Sequence, residues 1–271
     1  MNEHLHTIPT ESLINAIETN VAEALLALGR AGQGEERREP TMHWTIGGSP
    51  LDYHNCVVRA DLSPESADHS ILASVAAFQR YGAPGSWHVG PAMRPLDLGE
   101  RLASRGFRRE GAEPGMALEL TTLPSSTSAP EGLVIERVGD AQALEGWIRT
   151  LAGDFGEGEK EARWVGEMMR RVGLDKAAPW QLFWGHLHGE SVATAALYLG
   201  SNAAGIYFVA TVPPARRQGI GRAITLAALQ EASARGYRIA VLTASESGLA
   251  VYQRLGFQTY CRFAIYVWRP G

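Results

Sequence analysis

One stretch of the sequence combines residue types suited to holding a large anion: Pro213-Pro214-Ala-Arg216-Arg217-Gln218-Gly219-Ile220-Gly221-Arg222. Glycines let a backbone approach a bulky group with no Cβ in the way. A helix that starts at such a loop offers free N–H groups and the positive end of its dipole. Arg216, Arg217 and Arg222 add local positive charge to a chain whose formal net charge is −4. The segment reads as a pyrophosphate site where a strand passes through a loop into a helix. It fits neither common nucleotide loop. A dinucleotide fingerprint needs a third glycine, and Ile224 stands there. A P-loop needs a Gly-Lys-Ser/Thr run, and the lysines of this chain are Lys160 and Lys176, both far away.

Other candidate groups carry less. His186-x-His188 puts two imidazoles on one face of a strand end, but spacing places no third ligand for zinc, so no metal is expected and hairpin surface histidines are the reading. His4-x-His6 reads as a frayed terminus. Trp164, Trp180 and Trp184 precede the loop and read either as lining for an apolar pocket or as aromatic core. Cys56 and Cys261 are too far apart and too few for a disulfide framework or a cysteine-rich zinc site. The sequence contains no Gly-x-Ser-x-Gly elbow of a hydrolase.

The elements that must position the loop follow from apolar periodicity. In the C-terminal part, helices are expected over residues 140–151 and 159–172, with strands over 181–187, 191–199 and 205–212. The loop then enters a helix ending at Gly236. A strand over 238–243, a short helix over 248–255 closed by Gly256, and a final hairpin over 257–268 complete it. In the N-terminal part, a helix starts near Leu13 and residues 31–40 are a polar loop. Strands are expected over 42–46, 55–61 and 87–91, and helices over 67–81 and 96–105. Helices, an antiparallel meander and then a βαβ unit indicate an α+β class with a mixed sheet. The Ser/Thr/Pro-rich run 121–132 reads as a linker between residues 1–120 and 133–271. Leu102-Ala-Ser-Arg-Gly106-Phe107 and Tyr252-Gln-Arg-Leu-Gly256-Phe257 repeat one helix–glycine–strand junction, a weak internal similarity.

Composition narrows the classes. The chain has 271 residues, 45% of them hydrophobic and 20% charged, which is enough apolar material for a core and excludes wholesale disorder. With 25 Lys+Arg against 29 Asp+Glu there is no electrostatic reason to expect a nucleic-acid or membrane-surface partner. No run approaches the roughly 18 apolar residues of a membrane span. The opening MNEHLHTIPTESLINAIETN lacks the pattern of a secretory leader. A cytoplasmic location is therefore expected.

Arg216-x-x-Gly219-x-Gly221 resembles the acetyl-CoA signature of the GCN5-related N-acetyltransferase (GNAT) superfamily. Downstream, Ser245-Glu-Ser-Gly-Leu-Ala-Val-Tyr252-Gln-Arg-Leu-Gly256-Phe257 is similar to the family's second stretch. Two motifs at suitable separation are more specific than either alone. The resemblance implies two tandem GNAT-like (acyl-CoA N-acyltransferase) domains, each a mixed, mostly antiparallel sheet flanked by helices. Residues 1–120 would be a degenerate copy, because Val89-Gly-Pro-Ala-Met-Arg-Pro95 lacks the phosphate cradle. This half is expected not to bind CoA and to wall the acceptor pocket or stabilise the other half.

The resemblance also implies roles. Val209, Ala210 and Thr211 would pair with the pantetheine arm through their backbone, in a gap between two splayed strands. Arg216, Arg217, Gln218, Gly219, Ile220, Gly221 and Arg222 would hold the pyrophosphate. Ser245 stands where many members carry a cofactor-contacting Asn, and its hydroxyl is shorter. Tyr252 would protonate the departing thiolate, as a phenol of pKa about 10 can for a thiol of about 8.5. The family's usual base positions hold Gly205 and Ala240, neither of which accepts a proton. Asp154, Glu157 and Glu159 in the acidic loop are the candidate bases or amine anchors; a water relay or an already neutral amine would need none. A covalent acetyl-cysteine is not expected, because Cys261 lies on a terminal strand.

The activity implied is transfer of an acetyl group from acetyl-CoA to a primary amine by direct attack, with no metal. Two rivals are a CoA-binding sensor without turnover and a transferase of a longer acyl or aminoacyl group. The acceptor would be a small-molecule amine or a peptide, and the protein a monomer or homodimer.

Overall fold

Helix α1 (Thr10–Ala31) opens the fold, followed by β1 (Glu35–Arg38), β2 (Met42–Ile46), β3 (Cys56–Ala60), α2 (Pro64–Tyr81), β4 (Gly85–Val89), α3 (Leu98–Ser104) and β5 (Arg108–Glu119). The second half contains β6 (Leu133–Arg137), α4 (Ala141–Ala152), α5 (Glu159–Val172), β7 (Trp180–Leu187), β8 (Glu190–Leu199) and β9 (Ala204–Thr211). It ends with α6 (Ile220–Ala234), β10 (Ile239–Thr243), α7 (Leu249–Leu255) and β11 (Gln258–Trp268). This computed structural model describes residues 8–47, 49–123, 129–153, 155, 156 and 158–271. His4, His6, Asp154, Glu157 and the centre of the expected linker lie outside the described residues.

Two expectations are corrected. The polar stretch 31–40 contains strand β1, Glu-Glu-Arg-Arg, which pairs with β2 as the outermost strand. It has no apolar face to reveal it, and charge suits an edge that must not recruit another chain. Arg30 reaches Glu36 at 2.7 Å and Arg37 reaches Glu35 at 2.9 Å across this edge. The expected hairpin over 257–268 is instead one continuous strand, β11.

The 11 strands among the described residues lie in one sheet, in the order β1-β2-β3-β4-β11-β5-β10-β9-β8-β7-β6. The two halves are joined through an exchange. Strand β11 lies between β4 and β5, and β5 lies between β11 and β10. A β-α-β-α-β order occurs twice: β3-α2-β4-α3-β5 and β9-α6-β10-α7-β11. Gly106 and Gly256 close α3 and α7 with φ of 90° and 101°, a conformation that favours glycine, and Phe107 and Phe257 behind them are buried.

Helix α6 sets Ile220, Ile224, Ala228 and Leu229 against the sheet, where they join Met116, Leu118, Leu242 and Phe257. On the opposite face α4 and α5 cover Trp180, Tyr198, Phe208 and Ala210. Helix α1 serves both halves. Its Ala24, Ala27 and Leu28 join the α4–α5 core, while Leu13, Ile17 and Val21 cover Cys56, Ala117, Val241 and Phe263. The first half closes over Trp44, Trp87, Phe78 and Phe107.

His54 gives this fold an acid-sensitive point. It is buried, its Nδ1 lies 3.0 Å from Ser49 Oγ, and its Nε2 has no hydrogen-bond partner among the described residues. Burial drives its pKa down from 6.5 to about 3, so the folded state excludes a proton that the unfolded chain accepts. The contribution is complete above pH 6.5 and is lost as pH falls towards 3, by up to roughly 5 kcal/mol. Denaturant melts from pH 7 to pH 4 are expected to show this loss, and His54→Gln to reduce it. An unchanged pH slope in the variant would contradict the assignment.

Candidate active site

The parallel pair β9–β10 is registered only at Ala204↔Ala240 and Gly205↔Val241. Among the described residues no further pair joins them, so residues 206–211 face a gap on the β10 side. On its other edge β9 stays bonded to β8 through Thr194↔Ala210 and Ala193↔Thr211. Phe208 has φ of 49°, and the register slips between Thr194 and Ala196, so β9 is bulged there. The Thr194 hydroxyl donates to the Phe208 carbonyl at 2.9 Å. Val209, Ala210 and Thr211 therefore lie along the splay, and their unpaired edge can accept an added strand.

The loop at the end of this gap has a distinct backbone. Residues Pro213–Ala215 form a single helical turn. Arg217 and Gly219 then take φ of 62° and 84°, and Gly219 is the N-cap of α6 with no side-chain cap. The first N–H groups of α6 are thus left to a ligand or solvent. Arg217 and Gln218 are exposed, Arg222 is half-buried, and Ile220 turns inward to the core. Arg216 braces the loop, its Nε donating to the Thr211 carbonyl at 3.1 Å. A Cβ at Gly221 would meet nothing nearer than Thr211 Oγ1 at 3.5 Å, so the space over it is open.

Tyr252 sits on α7, half-buried against the α6-side core and edge-on to Phe257 at 6.0 Å between ring centroids. Burial pushes its phenol up to about 12, so it holds its proton well above neutral pH. Ser245 is engaged locally: its Oγ accepts from the Gly248 N–H at 3.2 Å and lies 3.1 Å from Ser247 Oγ. It stabilises the turn into α7.

Residues 179–259, spanning the splay, the loop and Tyr252, match the family model described as an acetyltransferase (GNAT) domain. This segment is a GNAT domain. The fold is similar to that of a GCN5-related N-acetyltransferase from Kribbella flavida, with a TM-score of 0.72 and 20% identity over 93% of this chain and 96% of that one. A functionally unknown conserved protein from Staphylococcus epidermidis follows at 0.66 and 14%, over 86% and 93%. A tandem GNAT protein from the clavulanic acid biosynthesis pathway gives 0.57 and 13%, over 85% and 78%. At these identities the likeness is one of fold. No curated protein matches the sequence.

The first half repeats the β-α-β-α-β order of the second, but the helix after its parallel strand has a side-chain cap. Strands β3 and β4 are parallel, registered at Cys56↔Ser86 and Val57↔Trp87, and then part. Only Asp61, Leu62 and Ser63 separate β3 from α2, and Ser63 caps α2 by accepting from the Ser66 N–H. The seam is also closed by the chain itself. The Arg94 N–H donates to the Ala60 carbonyl at 3.0 Å, and the Leu62 N–H donates to the Arg94 carbonyl at 3.3 Å. A cavity of about 530 Å³ opens beside this closed seam, lined by charges of both signs including Glu18, Arg59, Asp61 and Arg94.

Neither position that the resemblance implies for a base, 205 or 240, carries a proton acceptor, and the packing around each leaves no room for one. A Cβ at Gly205 would fall 2.0 Å from Asn20 Oδ1. Asn20 is buried, donates to the Ala203 carbonyl at 2.8 Å and accepts from the Tyr207 hydroxyl at 2.8 Å. Side chains from α1 and β9 therefore fill the space that a carboxylate at 205 would need. Ala240 is fully buried in the α6-side core. Glu159 is exposed and paired with Arg163 at 2.6 Å. A carboxylate the sequence reading passed over is Glu113 on β5, which lies beside the end of β10. No local signal marks it, because it belongs to the other half of the chain.

The remaining candidates take structural places. The Cys261 thiol is buried beside Gly115 and pushed up to about 12, which keeps it protonated. Trp180 is buried in the α4–α5 core, and Trp184 Nε1 donates to Thr150 Oγ1 at 3.0 Å. Trp164 packs at the edge of the same core. His186 lies 3.2 Å from Glu136 and tilts against Trp184, while His188 packs over Gly132. No group of three metal-ligating side chains occurs among the described residues.

Proposed function

We propose that this chain is an N-acetyltransferase that moves an acetyl group from acetyl-CoA to a primary amine by direct attack. The observation that carries the reading is the uncapped start of α6 at the end of the β9–β10 splay, with Arg217 and Gly219 in the left-handed conformation. Backbone N–H groups at such a start suit a pyrophosphate, and Arg217, Gln218 and Arg222 surround it. The open edge of Val209, Ala210 and Thr211 suits an amide-bearing arm, and an N–H in the splay suits a developing oxyanion. Tyr252 on α7 is the proton donor for the leaving sulfur. Acetyl-CoA supplies the activated acyl group; the chain's residues bind and orient it and move the protons.

One working site per chain is part of this reading, since the first half has a capped α2 and a self-closed seam. The acceptor is a small-molecule amine or a peptide α-amine, the setting cytoplasmic, and the protein a monomer or homodimer. Among the described residues no helix is long and apolar enough to cross a membrane.

Calorimetry with acetyl-CoA tests the reading. One site per chain with micromolar affinity is expected. Gly221→Trp is expected to weaken binding at least 100-fold, roughly 3 kcal/mol, because the indole fills the cradle. Gly221→Ala is expected to keep the fold, given the open space at its Cβ. No binding by the wild-type protein would sink the proposal, and two sites per chain would refute the inactive first half.

A further inference from the structure

Strand β5 brings a carboxylate from the first half of the chain to the edge of the second half's splay. The last registered pair of β5 with β10 is Gly115↔Thr243, and the Ala244 N–H donates to the Pro114 carbonyl at 3.0 Å. Glu113 therefore stands just past the end of β10, where the splay is open. Its face follows from alternation. A Cβ at Gly115 would meet Ile17 of α1, and Ala117 packs in the α1 core, so residues 113, 115 and 117 share the α1 side. Met116 and Leu118 face α6, the side on which Tyr252 packs. Thr243 lies on the α1 side with Val241, the face that Glu113 shares. The Glu113 side chain keeps access to solvent. Desolvation against the sheet raises its pKa, and the Thr243 hydroxyl works against that rise. A carboxyl held above its ordinary range is better matched to taking a proton near neutral pH.

We propose that Glu113, delivered by the exchanged strand, is the general base that deprotonates the incoming amine. This rests on the acetyltransferase reading above. Base and acid then come from opposite faces of the splay: Glu113 from the α1 side and Tyr252 from the α7 side. Ionised Glu113 takes one proton from the acceptor ammonium and frees its lone pair. The C–N bond forms, the C–S bond breaks, and Tyr252 gives its phenolic proton to the sulfur. The second excess proton on nitrogen returns to the Tyr252 oxygen, and Glu113 releases its proton to solvent. The products are the amide and a free thiol.

The test measures thiol release from acetyl-CoA, with water as sole acceptor and with glucosamine, spermidine and a tripeptide as probe amines. For Glu113→Gln, kcat is expected to fall at least 100-fold with acetyl-CoA affinity unchanged by calorimetry. The wild-type rate is expected to fall on the acid side as Glu113 protonates, and the variant to lose that limb. Glu113→Asp, with a melting temperature near that of the wild type, is expected to retain part of the rate. Added acetate is expected to restore part of it in Glu113→Ala. A Glu113→Gln enzyme with unchanged kcat, or with only KM raised, would overturn the proposal and leave the acetyltransferase reading intact. A wild-type protein that binds no acetyl-CoA, or binds it and releases no thiol with any acceptor, would overturn both.

Discussion

Neither half of this chain is expected to fold when produced alone; a break within residues 124–128 should give two polypeptides that become soluble and cooperative only when co-expressed. Residues 1–123 would keep β4 and β5 but lose β11, the strand that bonds to both. Residues 129–271 would keep β10 and β11 but lose β5 from between them. Each loss opens an internal ladder and removes buried apolar side chains: Phe263 and Val267 from one half, Met116, Ala117, Leu118 and Leu120 from the other. At about 1.5–3 kcal/mol per large buried side chain, either loss is comparable to the whole stability of a domain, about 5–15 kcal/mol. Circular dichroism and thermal melts of the separate and combined halves check this. A cooperative melt from residues 129–271 alone would show the exchange to be dispensable.

Tyr252→Phe is expected to lower kcat about 100-fold and to leave acetyl-CoA affinity unchanged. The substitution keeps the ring against Phe257 and removes only the hydroxyl, so the effect isolates the proton donor. The pH profile carries a second signature. Because burial raises this phenol to about 12, its acid form is complete at neutral pH and persists above the ordinary tyrosine range. The wild-type rate is therefore expected to show no alkaline fall from Tyr252 up to about pH 10. A Tyr252→Phe protein with wild-type kcat would remove Tyr252 from the chemistry.

Much of the site was readable in the order of residues. The elements from α4 to α7 fall close to their expected places, because apolar periodicity and glycine stops are local signals. Gly219 with its left-handed φ and the open space over Gly221 follow from the spacing of the loop itself. The missing base at 205 and 240 was equally plain, since glycine and alanine carry no proton acceptor. By contrast, β1 gave no apolar signal, because an edge strand of Glu and Arg depends on pairing and ion pairs. Strand β11 passed for a hairpin because nothing in its residues marks the two strands between which it runs.

By itself the sequence determined the motifs, the elements that carry them and the absence of a carboxylate beneath the splay. Only the tertiary structure decided that one sheet holds both halves, that Asn20 fills the space beside Gly205, and that Glu113 stands just past the end of β10. The physical reason is range. Helix periods, turns and caps act over a few residues and are written in neighbouring positions. Strand pairing joins residues more than a hundred positions apart, such as Gly115 with Thr243, through backbone groups that every residue possesses.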